Sequence, residues 1–436
     1  MPPEFSYPDE LPIPPLARPP RATVTPPGSK SITNRALVLA ALSSVRRPQL
    51  LTGCLRSEDT EVCIAALRKL GYEVEADWAG PLSAVSVFRG DRPVVPAPEA
   101  DLSVGNSGTT MRFLTAMLAL GHGRYRLDGV PRMRERPIAD LLEALGQLGV
   151  QARSERGNGC PPVVIDGGSW RGGKVRVRGD VSSQFLSGLL MAAPFAPAAT
   201  TFEVVGPLVS QPYVEMTCRM MHDWRLVTTS SSPHVVPGGQ PADGLPNGAY
   251  AVEPDASAAS YFFAAAAITG GRVTVPGLSA HGLQGDVRFV DVLERMGCAV
   301  ERSADAITVQ GGELTGTDVG MNDISDTVMT LGAVALFAKG PTTIRNVAHI
   351  RHKETDRLAA LATELRRVGA DVEEFDDGLT ITPRPLRGTT IRTYDDHRMA
   401  MSLALVGLLV PGVVISDPGC VAKTYPGFFA DLEKLR

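Results

Sequence analysis

The chain has 436 residues, room for two or three domains at about 150 residues each, with cores large enough to stand without disulfide staples. Its composition, 44% hydrophobic and 21% charged, excludes a disordered chain. A net charge of −4 excludes a general nucleic-acid or polybasic membrane binder and still leaves room for a local basic cleft.

In chain order, the N-terminal MPPEFSYPDELPIPPLARPP lacks a basic start followed by an apolar run, so no secretory signal is expected. A β-like RATVT follows, before Pro26 and Pro27. Apolar, Ala/Leu/Met-rich runs then open near Ser29, Ser107, Ser183, Ser257, Asp326 and Asp396, roughly 70–78 residues apart. A Ser, Asn or Asp start is an N-cap, and a run apolar on all sides is a buried helix. Each run leads into a β-like stretch: PQLLTG, YRLDG, TFEVVG, RVTVPG, TTIRNV and VVISDP. A polar loop comes next (LRSEDT, RMRERP, VSQPYV, LQGDVR, HKETDR, KTYPGF), and then an amphipathic helix. Gly71, Gly149, Gly297 and Gly369 stop four of these helices. The third departs at HDWRLVTT, and the sixth runs to the C-terminal LEKLR. Ala400 to Ile415, interrupted by Ser402 and by Pro411-Gly412, reads as a core helix too short to span a membrane.

The repeating unit is therefore buried helix, strand, amphipathic helix and further strands, six times over. Its spacing splits three and three. The expectation is an α/β fold of two similar domains, residues 27–253 and residues 1–26 plus 254–436, with the N-terminal RATVT supplying a strand that the sixth repeat lacks.

The six cysteines (Cys54, Cys63, Cys160, Cys218, Cys298 and Cys420) form no CxxC pair and read as reduced thiols of a cytosolic protein. The seven histidines show no HExxH or Cys/His cluster, so no metal site can be read. Chemistry collects instead at helix starts, where free N–H groups and the positive dipole end favour anions. Lys30, Arg35, Arg112, Arg132, Arg134, Arg136, Arg351, Lys353, Arg357, Arg398 and Lys423 recur at equivalent repeat positions of a net-acidic chain. That recurrence points to phosphate or carboxylate recognition. Ser182, Ser183 and Ser210 add neutral donors, and Gly108 admits a ligand close to the backbone. PGSKS lacks the adjacent Gly-Lys of a P-loop, and no GxGxxG occurs. Asp326 and Glu354 carry the acid/base interest. The alternatives are a plain helix cap for Asp326 and an intrahelical ion pair for Glu354 beside Lys353 and Arg357. His397, after Asp395-Asp396, is open between a structural hydrogen bond and catalysis.

PGSKSITNRAL, GNSGTTMR, RMRERPI, VSSQFLSGLLM, SQPY, EPDASAASYF, HKETDRL, DDHRMAM and KTYPGF, in order from about Pro26 to the end, together resemble the 5-enolpyruvylshikimate-3-phosphate synthase family. The resemblance implies two domains, each of three βαβαββ units around a pseudo-threefold axis (an inside-out α/β barrel), with the active site in the cleft between them. It also implies metal-free and cofactor-free transfer of the enolpyruvyl group of phosphoenolpyruvate to shikimate 3-phosphate. By the same resemblance Lys30, Ser31, Arg35, Ser182, Ser183, Gln184, Ser210, Asp326, His349 and Lys353 contact shikimate 3-phosphate. Lys30, Gly108, Arg136, Gln184, Arg357, Arg398 and Lys423 contact phosphoenolpyruvate, and Asp326, Glu354 and Lys30 are catalytic. His349 stands where several members have Asn. Glyphosate is the implied inhibitor, and a cytoplasmic monomer is expected. The alternatives are a UDP-N-acetylglucosamine enolpyruvyl transferase, which shares fold and chemistry, and a non-catalytic polyanion-binding scaffold. Few aromatic residues, none interleaved among the Arg-rich motifs, argue against nucleic acid.

Overall fold

The computed structural model describes residues 5–80 and 83–436; the first four residues of the N-terminal segment read above lie outside the described residues. The chain forms two compact units. The first is Gly28–Val252, and the second joins the segment ending at Pro27 to Glu253–Arg436.

The α-helices are α1 (Lys30–Ser43), α2 (Glu58–Lys69), α3 (Gly108–Leu118), α4 (Ala139–Gln147), α5 (Ser183–Ala192), α6 (Gln211–Asp223), α7 (Ala256–Thr269), α8 (Phe289–Arg295), α9 (Val328–Ala335), α10 (Arg357–Val368), α11 (His397–Gly407) and α12 (Phe428–Glu433). The odd-numbered helices are the buried ones: α7 has no exposed residue from Ala256 to Ala267. Ser107, Ser182, Asp255 and Asp396 cap α3, α5, α7 and α11 with side-chain oxygens that accept from backbone N–H groups. The even-numbered helices are one-sided, as in α10, which buries Leu358, Leu361, Leu365 and Val368. Gly71, Gly149, Gly297 and Gly369 end α2, α4, α8 and α10 at φ of +91°, +88°, +116° and +119°. Where α6 lacks a glycine, Arg225 takes the left-handed position at φ +59°.

Each unit holds three small open sheets among the described residues, and none closes into a barrel. One pattern recurs. In the second repeat Glu99–Ser103 pairs in parallel with Arg124–Asp128, which pairs antiparallel with Val163–Asp166 and through it with Gln151–Ser154. The strands before α1 and α7 are exchanged. Arg21–Thr23, which precedes α1, pairs in parallel with Arg272–Pro276 of the second unit. Ala249–Ala251, which precedes α7, pairs in parallel with Gln49–Thr52 of the first.

This corrects the expected role of RATVT, which joins the fourth sheet. The sixth sheet is completed by Glu10–Ile13, antiparallel to Val413–Ser416, with Ile13 opposite Val413. Ala400 to Ile415 is likewise not one helix. α11 ends at Gly407, and Val413–Ser416 is a strand, because Pro411-Gly412 cannot continue the helix.

Ile13 is buried, and its Cβ crowds Gly407 of α11, where an added methyl would come within 2.5 Å. Ile13→Ala should therefore destabilise the second unit by about 2–5 kcal/mol, read as a lower urea midpoint.

Candidate active site

In the first unit the predicted residues stand at helix starts that are tied together. Asn34 Nδ2 donates to Thr109 Oγ1 at 2.6 Å, joining α1 to α3. Arg35 reaches the other way. Its Nε donates to Thr217 Oγ1 on α6 at 2.7 Å, and its Nη2 to Ser187 Oγ on α5 at 3.3 Å and to the Tyr213 carbonyl at 3.1 Å. Its Nη1 donates to the Ser31 carbonyl at 3.0 Å. None of these partners is a carboxylate. Burial pushes its pKa down from 12.5 to about 10, which still leaves a full positive charge at neutral pH.

Lys30 opens α1, with Nζ 3.4 Å from Asp59 Oδ2. Asp59 is 2% exposed in the first turn of α2, and sequence reasoning does not single it out. The available signal is its place at an amphipathic-helix start, where RMRERP carries cations. Gly108 opens α3. A Cβ there would stand 2.6 Å from Arg136 Nη2, and Arg136 is itself buried, with Nη1 on the Asn106 carbonyl at 3.0 Å and Oδ1 at 3.2 Å. The backbone at Gly108 is not left-handed, so the missing side chain serves close approach rather than a turn.

Gly173–Arg178 and Thr200–Val205 run in parallel, and the loops that follow them meet where Val209 N–H donates to the Gly179 carbonyl at 2.9 Å. Those loops deliver Ser182, Ser183 and Gln184 to the start of α5 and Ser210 to the start of α6. Ser210 holds a left-handed φ of +52°, uncommon for a residue with a Cβ.

In the second unit one ion-pair cluster gathers Asp326, Glu354, Arg357 and Arg398. The Asp326 carboxylate accepts from Arg357 Nη1 at 3.4 Å and from Arg398 Nη2 at 2.7 Å. Arg357 Nη2 lies 2.8 Å from Glu354 Oε2. Asp396 accepts from Arg357 Nε at 2.8 Å and Nη2 at 3.2 Å, and from the Arg398 backbone N–H at 2.9 Å. Burial alone would lower the Arg357 pKa, but Asp396, Glu354 and Asp326 outweigh it and raise it. Asp326 lies in the 3-10 turn Asn322–Thr327 before α9 and is not its cap, and Glu354 precedes α10, so its pair with Arg357 is not intrahelical.

His349 Nε2 is 2.9 Å from Ser325 Oγ, next to Asp326 in the chain. Lys353 follows the turn Ala348–His352. Lys423 is buried at the end of the turn Pro418–Lys423; burial raises the nearby Asp395 carboxyl against its pull.

Other cations of the sequence set are held elsewhere. Arg134 binds Asp128 through Nε and Nη2, both at 2.9 Å. Arg351 is held by Asp356, Glu374 and the Phe375 carbonyl. Arg112 Nη2 donates to the Pro137 carbonyl at 2.9 Å. Among the described residues no three His, Cys, Asp or Glu side chains converge as a metal site, and no helix is long and apolar enough to cross a membrane.

Burial, with Lys353 nearby, pushes the His349 imidazole down from 6.5 to about 3. Above pH 6.5 folded and unfolded imidazoles are both neutral. Below it the unfolded chain takes up a proton that the folded site refuses, so stability falls as pH drops from 6.5 toward 3. His349→Asn should flatten this fall, measured as the melting temperature of the second unit from pH 7 to pH 4; an unchanged slope would assign it to other groups.

The family model described as EPSP synthase (3-phosphoshikimate 1-carboxyvinyltransferase) matches residues 17–432. A 3-phosphoshikimate 1-carboxyvinyltransferase of Trichormus variabilis is 50% identical over 98% of this chain and 99% of its own length. A chloroplastic enzyme of the same name from Solanum lycopersicum is 47% identical over 94% of this chain and 82% of its own. The solved EPSP synthase of Acinetobacter baumannii superposes with a TM-score of 0.80 at 26% identity, covering 98% of both chains. With matches of this kind running nearly end to end, the chain belongs to the EPSP synthase family.

Proposed function

We propose that the chain transfers the enolpyruvyl (carboxyvinyl) group of phosphoenolpyruvate to the 5-hydroxyl of shikimate 3-phosphate and releases phosphate. The observation that carries this reading is the 50% identity, end to end, with a relative named for that reaction. The relatives are named for the 3-phosphoshikimate acceptor, so neither a UDP-N-acetylglucosamine transferase nor a non-catalytic scaffold is favoured. Action as a cytoplasmic monomer belongs to the same reading.

Shikimate 3-phosphate is assigned to Lys30, Ser31, Arg35, Ser182, Ser183, Gln184, Ser210, Asp326, His349 and Lys353. Serine hydroxyls, together with an Arg35 whose hydrogen-bond partners are hydroxyls and carbonyls, suit a phosphorylated polyol. Phosphoenolpyruvate is assigned to Lys30, Gly108, Arg136, Gln184, Arg357, Arg398 and Lys423. Its carboxylate and phosphate compete with Asp326 for Arg357 and Arg398. Once those guanidiniums turn to the ligand, an Asp326 oxygen is released to take the proton of the 5-hydroxyl as its oxygen attacks C2. A proton from Glu354 or Lys30 goes to C3. Phosphate then leaves C2 as C3 returns a proton, restoring the double bond. Holding two anions side by side supplies proximity, and the cations stabilise the charged intermediate.

Asp326→Asn should lower turnover about 100-fold or more in a phosphate-release assay, while a chelator should change nothing. Near-normal turnover in this variant would remove Asp326 from the mechanism.

Glyphosate sensitivity belongs to the same reading, because a phosphonate anion fits the same cations. At Gly108 a methyl group meets the Arg136 guanidinium. Overpacking costs about 1–3 kcal/mol, so Gly108→Ala should raise the glyphosate inhibition constant by roughly one to two orders of magnitude. The KM for phosphoenolpyruvate should rise less. Equal losses for both ligands with a lower melting temperature would reject the steric explanation.

A further inference from the structure

Glu364 and Tyr394 make a contact that the proposed chemistry does not use. Glu364 lies seven residues after Arg357 on α10, two turns along and so on the same side. It is 0% exposed. A buried carboxylate needs partners, and Glu364 has three. Its oxygens lie 2.8 Å from Arg367 Nη1, 2.8 Å from the Tyr394 hydroxyl and 3.2 Å from the Arg392 backbone N–H.

The last two belong to the loop before α11. There Tyr394 and Asp395 hold φ of +57° and +53°, two consecutive left-handed residues that both carry a Cβ. Asp396 N–H closes the turn on the Thr393 carbonyl at 2.9 Å. Backbone of this kind persists only where its surroundings hold it. The residue it delivers is Asp396, whose carboxylate grips Arg357 and receives the Arg398 backbone N–H. α10 and the loop are thus pinned twice, by Arg357 with Asp396 and by Glu364 with Tyr394.

We propose that Glu364 and Tyr394 are positioning residues: their hydrogen bond clamps the strained Thr393–Asp396 turn to α10 and so sets the Asp396 carboxylate that orients Arg357 and Arg398. Its kinetic consequence rests on the assignment of those two arginines to phosphoenolpyruvate.

The test compares wild type with Tyr394→Phe, Glu364→Gln and the double variant. Tyr394 is 37% exposed, so Phe keeps the ring and the fold. The KM for phosphoenolpyruvate should rise about tenfold in each single variant, with kcat and the KM for shikimate 3-phosphate within about twofold. The double variant should be no worse than the worse single one, because all three lack the charge-assisted hydrogen bond from the Tyr394 hydroxyl to the Glu364 carboxylate. An unchanged KM for phosphoenolpyruvate, additive losses, or equal rises in both KM values with a lower melting temperature would overturn the proposal. A crystal structure of Tyr394→Phe decides independently of turnover: the clamp predicts a relaxed turn and a lengthened Arg357–Asp396 contact, and an unmoved pair would refute it. A wild type inert toward both substrates would reject the proposed reaction, while the crystal structure of the variant would still decide whether the clamp exists.

Discussion

The second unit depends on one buried cation. Arg357 is surrounded by Asp326, Glu354 and Asp396, carboxylates from three separate stretches of chain. Each lies just before a helix: Asp326 before α9, Glu354 before α10 and Asp396 at the cap of α11. A single guanidinium thereby fixes three helix starts at once. Ion pairs this deep contribute little net stability, because desolvation offsets the attraction; what they supply is geometry. Behind them Ser260, Thr330 and Ser402 join α7, α9 and α11 through hydroxyl contacts of 3.0 and 3.4 Å.

The first unit uses the same residue type in the opposite electrical setting. Arg35 is as deeply buried as Arg357, yet hydroxyls and carbonyls are its hydrogen-bond partners. Its charge is met by dipoles, whereas the charge of Arg357 is shared among three carboxylates. Under the proposed assignment, the first arginine suits a site that waits for a permanent anion, and the second a site whose internal partner is released when the ligand arrives.

Much of the architecture is legible in the sequence because its signals are local. A capping side chain, an apolar run and a terminal glycine lie within one helix, so the six repeats stand out. Strand partnership is not local. RATVT looks like a strand, but nothing in it says that it belongs beside Arg272–Pro276, and the proline-flanked Glu10–Ile13 hardly looks like a strand at all. The site divides the same way. The cations at helix starts are visible, but Arg134 reads like Arg136, and Arg351 like Arg357. What separates them is which partners folding brings in: Asp128 for Arg134 but Asn106 for Arg136, and Glu374 for Arg351 but the Asp326, Glu354 and Asp396 cluster for Arg357. Asp59 and Glu364 stay hidden for the same reason, since a carboxylate in a helix is ordinary until the fold buries it.

The pairing of Glu10–Ile13 with Val413–Ser416 sets an order of events during synthesis. About 400 residues separate the two strands, and at about 5–20 residues per second the second strand appears roughly 20–80 s after the first. The first unit has no such wait, since every strand of its sheets lies between Gly28 and Val252. It can fold on emergence, while the N-terminal strand remains single until the last repeat is made. An unpaired strand is a template for wrong partners. Here it carries Pro12 and is followed by Pro14 and Pro15, residues without an N–H to donate. Those prolines leave enough of the ladder for the one late partner and little for a stranger, so the least regular stretch of the sequence guards the longest delay in the making of the chain.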